Sequence, residues 1–96
     1  MPAVTRVQDK NTGHDDCPPI DLATGSSNVY VNGKKCGRKS DTYNPHSCPA
    51  HVPHQGTIVS GSSTVFVNGL PIARVGDKVD CPDTTVAEGS DNVYAN

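Results

Sequence analysis

Tryptophan is absent from this sequence, phenylalanine occurs once and tyrosine three times. With 33% hydrophobic residues in a chain of 96, the core is thin, because small domains bury a low fraction of their surface. Something besides apolar burial is therefore needed to hold the fold: a metal, disulfides or a partner. No apolar run approaches the ~20 residues of a membrane-spanning helix, so no stable membrane insertion is expected. The opening Met1-Pro-Ala-Val-Thr-Arg6 lacks the apolar core of a signal peptide. Synthesis in the cytoplasm is expected, with any export left to another machine. A strong charge of one sign is also missing. The net charge of −2 predicts neither nucleic-acid nor membrane-surface binding. There is no Gly-x-Ser-x-Gly elbow and no phosphate-binding glycine loop. The acidic pair Asp15-Asp16 reads as a solvated loop rather than a general acid and base. No catalytic residues are assigned, and the chain is not expected to be an enzyme.

What is present is a repeat. Gly25-Ser-Ser-Asn-Val-Tyr-Val-Asn-Gly33 and Gly61-Ser-Ser-Thr-Val-Phe-Val-Asn-Gly69 differ only at Asn28/Thr64 and Tyr30/Phe66. A third copy, Gly89-Ser-Asp-Asn-Val-Tyr-Ala-Asn96, runs to the last residue given. A companion block also recurs, as Thr5-Arg-Val-Gln-Asp9, Gly37-Arg-Lys-Ser-Asp41 and Ala73-Arg-Val-Gly-Asp77, with Arg three residues before Asp each time. The two elements alternate in the same order with a period of roughly thirty residues. An open solenoid is the common outcome of repeats, but three copies suit a closed pseudo-threefold object better. One domain spanning 1–96 is expected, with units at about 3–33, 37–69 and 73–96.

Within a unit, a β-branched and aromatic run such as Thr64–Val67 meets Asn68-Gly69, a dipeptide that closes tight hairpins because both residues tolerate positive φ. Extended runs are expected over 3–9, 28–31, 34–39, 64–67, 72–75 and 92–95. No window carries a helical period of apolar residues, so the fold class is all-β. The Arg-x-x-Asp blocks are expected to form local salt bridges or turn caps. The proline-rich loops that follow each block should converge at one end of a cone-shaped domain.

Those loops carry the candidate ligands. Counting from each block's Asp gives His14, His46 and Cys81, at offsets of five, five and four residues. Equivalent places in three symmetric units approach one axis. The longer second loop adds His51 and His54. His54, directly before Gln-Gly and a strand, is the preferred fourth ligand and His51 the alternative. Three His and one Cys make a closed tetrahedral site suited to one structural zinc, with iron the less favoured ion. A lone surface His is usually just solvated, but ligand types in register with a repeat are harder to dismiss. Clustered Cys and His in a reducing compartment favour metal over disulfide. Cys17 and Cys48 read as loop residues or alternate ligands, and Cys36 as a small buried side chain.

The repeat Gly61–Asp77, with Pro71-Ile-Ala-Arg74 at its centre, resembles the PAAR (Pro-Ala-Ala-Arg) proteins over essentially the whole chain. In the second unit Lys34-Lys-Cys-Gly-Arg38 replaces the usual proline-containing block. The resemblance implies a pointed β cone that caps the trimeric β-helical spike of type VI secretion systems or contractile phage tails. The broad base would dock one monomer on a homotrimeric VgrG-like partner. The tip would be held by zinc on His14, His46, His54 and Cys81, and the protein would leave the cell on the spike. A bare tip of this kind implies pierced envelopes and, as an adaptor, separate effector proteins. The alternatives are a free-standing zinc-binding module or a small zinc hydrolase. The hydrolase needs an open metal position that four protein ligands do not leave.

Overall fold

The computed structural model describes residues 1–13, 17–45 and 55–96. The sequences around the two Asn-Gly pairs fold into the expected tight hairpins. β1 (Tyr30–Val31) pairs antiparallel with β2 (Lys34–Lys35), and β3 (Phe66–Val67) with β4 (Leu70–Pro71). Asn32 and Asn68 have φ of 54° and 56°, and the glycines after them 79° and 78°. Both central residues are thus left-handed, as two-residue hairpins of this hand require. Among the described residues there is no helix, and the fold is all-β.

The extended runs are shorter than expected. Beyond the hairpins, pairing occurs as single bridges: Ala3 with Tyr94, Val4 with Arg74, Arg6 with Cys36, Lys10 with Asp21. The reason is that the chain winds about an axis and changes partner every residue or two, so no ladder can lengthen. The bridges fall into triplets related by the repeat. Arg6–Cys36, Arg38–Ile72 and Val4–Arg74 form one, and Lys10–Asp21, Thr42–Thr57 and Lys78–Thr85 another.

The symmetry closes on itself. Thr5 N donates to the Ala73 carbonyl at 3.1 Å, Ala73 N to the Gly37 carbonyl at 3.0 Å, and Gly37 N to the Thr5 carbonyl at 2.9 Å. Three units thereby form a closed ring of hydrogen bonds, which pairs backbone groups that would otherwise be left as open strand edges. So close an approach tolerates only small side chains. A Cβ on Gly37 would lie 2.8 Å from Thr5 Cγ2 and 2.9 Å from Leu22 Cδ2. The overall extents, 37 × 23 × 23 Å, are those of a body elongated along one axis with two equal widths.

Two core clusters lie on this axis. One, on the hairpin side, holds Val4, Val31, Cys36, Val67, Ile72 and Ala95. The other, on the loop side, holds Leu22, Tyr43, Ile58, Ala73, Val79, Cys81 and Val86. Repeat-equivalent positions supply each layer: Leu22, Ile58 and Val86 are all about 1% exposed, so burial follows the repeat rather than a sheet face.

The Arg-x-x-Asp blocks are the joints between layers. Asp9, Asp41 and Asp77 are buried. Each accepts from the backbone N–H of its own Arg, at 2.9, 2.7 and 2.6 Å. Each also takes two guanidinium hydrogen bonds: Arg6 to Asp9, Arg38 to Asp41, Arg74 to Asp77. Salt bridge and turn cap, the two expectations, are the same structure. Such forked, charge-assisted bonds raise all three arginine pKa values, chiefly through the side-chain hydrogen bond to the Asp. Arg6 and Arg38 then reach the hairpin amides of Asn32 and Asn68 at 3.0 and 3.1 Å.

Candidate functional site

The hairpin end is assembled from the serines after Gly25, Gly61 and Gly89. Ser26, Ser62 and Ser90 are buried, and each Oγ accepts from the backbone N–H groups two and three residues on. Two of the turns are also gripped by a neighbouring unit. The Asn68 amide bonds Asn28 and Ser26, and the Asn32 amide bonds Asn92 and Ser90. The preceding glycines are required by contact. A Cβ on Gly25, Gly61 or Gly89 would lie 2.7–2.8 Å from the carbonyl oxygen of Cys36, Ile72 or Val4, three equivalent residues.

This scaffold presents three aromatics at one repeat position. Tyr30, Phe66 and Tyr94 are 54%, 56% and 51% exposed. The residue after each, Val31, Val67 and Ala95, is buried. In a chain with four aromatics in all, three exposed equivalents are a costly arrangement for stability. Exposed aromatics disposed about an axis suit a protein interface, where such side chains carry much of the binding energy. Sequence reasoning missed this ring, although its signal was there: the residue after Val29, Val65 and Val93 is aromatic in all three copies.

At the opposite end, the loop stems are tied together in equivalent fashion. Asn11 N donates to the Ile20 carbonyl, Tyr43 N to the Gly56 carbonyl and Val79 N to the Thr84 carbonyl, at 3.0, 2.9 and 3.1 Å. Asn11 Oδ1 also accepts from Gly13 N and Ile20 N, cinching the first loop from inside. Neighbouring loops are laced by Thr12 N to the Thr85 carbonyl, Asn44 N to Asp21 and Asp80 N to Thr57.

Of the expected ligands, His14, His46 and His54, with the alternative His51, lie outside the described residues. Cys81 is described. It is buried in the loop-side core, and burial, followed by the charge of Asp80, raises its thiol pKa. Its Sγ lies 3.2 Å from where a Gly56 Cβ would stand, so a side chain there would press on the sulfur. Gly13, which precedes His14, has φ +69°, and a Cβ there would meet the Cys17 carbonyl at 2.5 Å. Thr84 Oγ1 reaches the Gly13 carbonyl at 3.4 Å. The roots of the first, second and third loops thus meet around Cys81. Among the described residues no group of three or more His, Cys, Asp or Glu gathers.

The cysteines divide differently from expectation. Cys17 is a disulfide-bonded loop residue rather than an alternate ligand. Cys36 is a buried free thiol, as expected, with burial pushing its pKa up to about 11. Cys48 lies outside the described residues. The preference for metal over disulfide rested on compartment, and a thin core makes a covalent staple useful in either compartment.

The PAAR motif family model matches residues 50–96. No curated protein matches the chain.

Proposed function

The chain belongs to the PAAR-motif family, and on that premise we propose that it is the structural tip of a trimeric β-helical spike. The spike is of the kind used by type VI secretion systems and contractile phage tails. The observation that carries this reading is the ring of Tyr30, Phe66 and Tyr94, at equivalent places about one axis. A single chain thereby offers three near-identical seats to a partner. A closed homotrimer ends in three identical strand terminals, and a pseudo-threefold monomer can cover all three at once. The hairpin end would be the docking base and the loop end the point. Sheath contraction would then load a small area of target envelope, and the protein's part is mechanical rather than catalytic.

The loop end fits a structural metal ion. Cys81 offers a thiol in a buried niche, the glycine at 56 puts no side chain against its sulfur, and the stems of all three loops converge there. With His14, His46 and His54 it would complete a closed three-His, one-Cys set, His51 being the alternative to His54. The chemistry of that donor set suits zinc better than iron. When bound, the ion supplies binding energy to loops that have little apolar core. The reading also has the protein made in the cytoplasm, carried out on the spike and, as an adaptor, accompanied by effectors.

Two measurements test it. Elemental analysis of purified protein is expected to give about one zinc per chain, and none in folded protein would remove the site. Co-purification with a trimeric spike protein should depend on the aromatic ring. A Tyr30→Ser/Phe66→Ser/Tyr94→Ser variant that folds and still binds fully would overturn the docking face.

A further inference from the structure

The third hairpin is divided between the two ends of the chain. In the first two units the exposed aromatic pairs with the residue five positions on, Tyr30 with Lys35 and Phe66 with Pro71. In the third, Tyr94 pairs antiparallel with Ala3. The next rung agrees. Val31 opposes Lys34 and Val67 opposes Leu70, while Ala95 N donates to the Pro2 carbonyl at 3.1 Å. Further from the turn, Val4 N donates to the Val93 carbonyl at 3.0 Å. Its counterparts are Cys36 N to Val29 at 3.0 Å and Ile72 N to Val65 at 2.9 Å. Counting outward along this register, Asn96 takes the place of Asn32 and Asn68. Residue 1 takes the place of Gly33 and Gly69.

We infer that residues 1–96 form a closed ring of three hairpins whose covalent break falls at one of three equivalent turns, and that the break can be moved to either of the others. Residues 1–4 serve as the returning strand of the third unit. Without them, the carbonyl of Val93 and the N–H groups of Val75, Ser90 and Ala95 lose their partners. The ring also fixes where added polypeptide would leave. An extension from either end would emerge at the third hairpin turn, next to Tyr94, and the turns at Asn32-Gly33 and Asn68-Gly69 would stay bare. A pseudo-symmetric body thus has one marked sector.

The test is to join Asn96 to residue 1 in a Met1→Gly variant, creating a third Asn-Gly turn, and then to reopen the circle elsewhere. The circle should melt above the linear chain, by on the order of 10 °C, because closure restricts the unfolded chain and leaves the fold unstrained. Permutants opened between Asn32 and Gly33, or between Asn68 and Gly69, should fold with the spectrum of the parent and melt within a few degrees of it. A circle that melts at or below the linear chain overturns the inference, as do two permutants that both fail to fold. Amide hydrogen exchange on the unaltered chain gives an independent reading. Val4 and Ala95 should be protected like their counterparts Cys36, Ile72, Val31 and Val67. Exchange of Val4 and Ala95 at free-peptide rates would mean that the ends are not paired, and the ring would be refuted.

Discussion

Replacing Gln8 and Ser40 with glycine should stabilise the protein. Both sit at the third residue of an Arg-x-x-Asp turn, with φ of 79° and 83°, where the third unit has Gly76 at 94°. That position of a turn requires positive φ and favours glycine. An L-residue held there costs about 1–2 kcal/mol, and glycine returns about 0.5–1 kcal/mol of this in lost backbone entropy. The net gain is ~0.5–1 kcal/mol per site. Nothing is lost elsewhere. Both side chains are exposed. The bonds made at these positions are backbone ones, Gln8 N to Leu22 and Ser40 N to Ile58, each 2.8 Å, matched by Gly76 N to Val86 at 2.9 Å. The double variant Gln8→Gly/Ser40→Gly should gain ~1–2 kcal/mol, a rise in Tm of roughly 5–15 °C for a domain this small. Gly76→Ala should lose about 1 kcal/mol. Thermal and urea unfolding read both, with the urea m-value unchanged. A neutral or destabilised double variant with the parental m-value would refute the reasoning, because the three turns would then not be conformational equivalents.

Asp41→Ala removes a buried acceptor of the Arg38 fork and of Thr24 Oγ1. It should cost about 3–5 kcal/mol, the range for breaking a buried ion pair by removing one partner, and Asp9→Ala and Asp77→Ala should fall within a factor of two of it by denaturant titration. Tyr43→Phe should be neutral or stabilising by up to ~1 kcal/mol, because the Tyr43 hydroxyl is buried with no hydrogen-bond partner among the described residues; a loss above 1 kcal/mol would contradict this. If the loop end holds zinc, His14→Ala and Cys81→Ser should each abolish the bound metal and lower Tm, and chelation of the parent should do the same; variants with full metal content and Tm would show the ligand set to be wrong.

The parts of this fold legible in the sequence are the local ones. Asn-Gly dictates its turn within four residues, and Arg-x-x-Asp closes on itself within four, so pattern alone carried both to the structure. The triplication announced the symmetry for the same reason. Contacts that join units were not legible. The ring of Thr5, Gly37 and Ala73 appears in sequence only as three small residues before Arg, and their smallness acquires meaning when the backbones meet. Tyr43 fills a place held by Asn11 and Val79 in the other units, a substitution no repeat alignment explains until the shared layer is seen. The Cys17 disulfide was missed because compartment was weighed above geometry. At the site, register alone pointed to Cys81, which the structure places buried in the loop-side core beside Gly56. The aromatic ring went unread because exposure, not identity, makes it a candidate.

The most direct test of the central claim is the stoichiometry of the protein on a trimeric spike, read by native mass spectrometry of the assembled complex. A pseudo-threefold tip predicts one chain per trimer, with no second copy added at excess protein. Three chains per trimer would mean that each protomer binds its own copy, and no complex would mean that the threefold face serves something else. Either result would contradict the account.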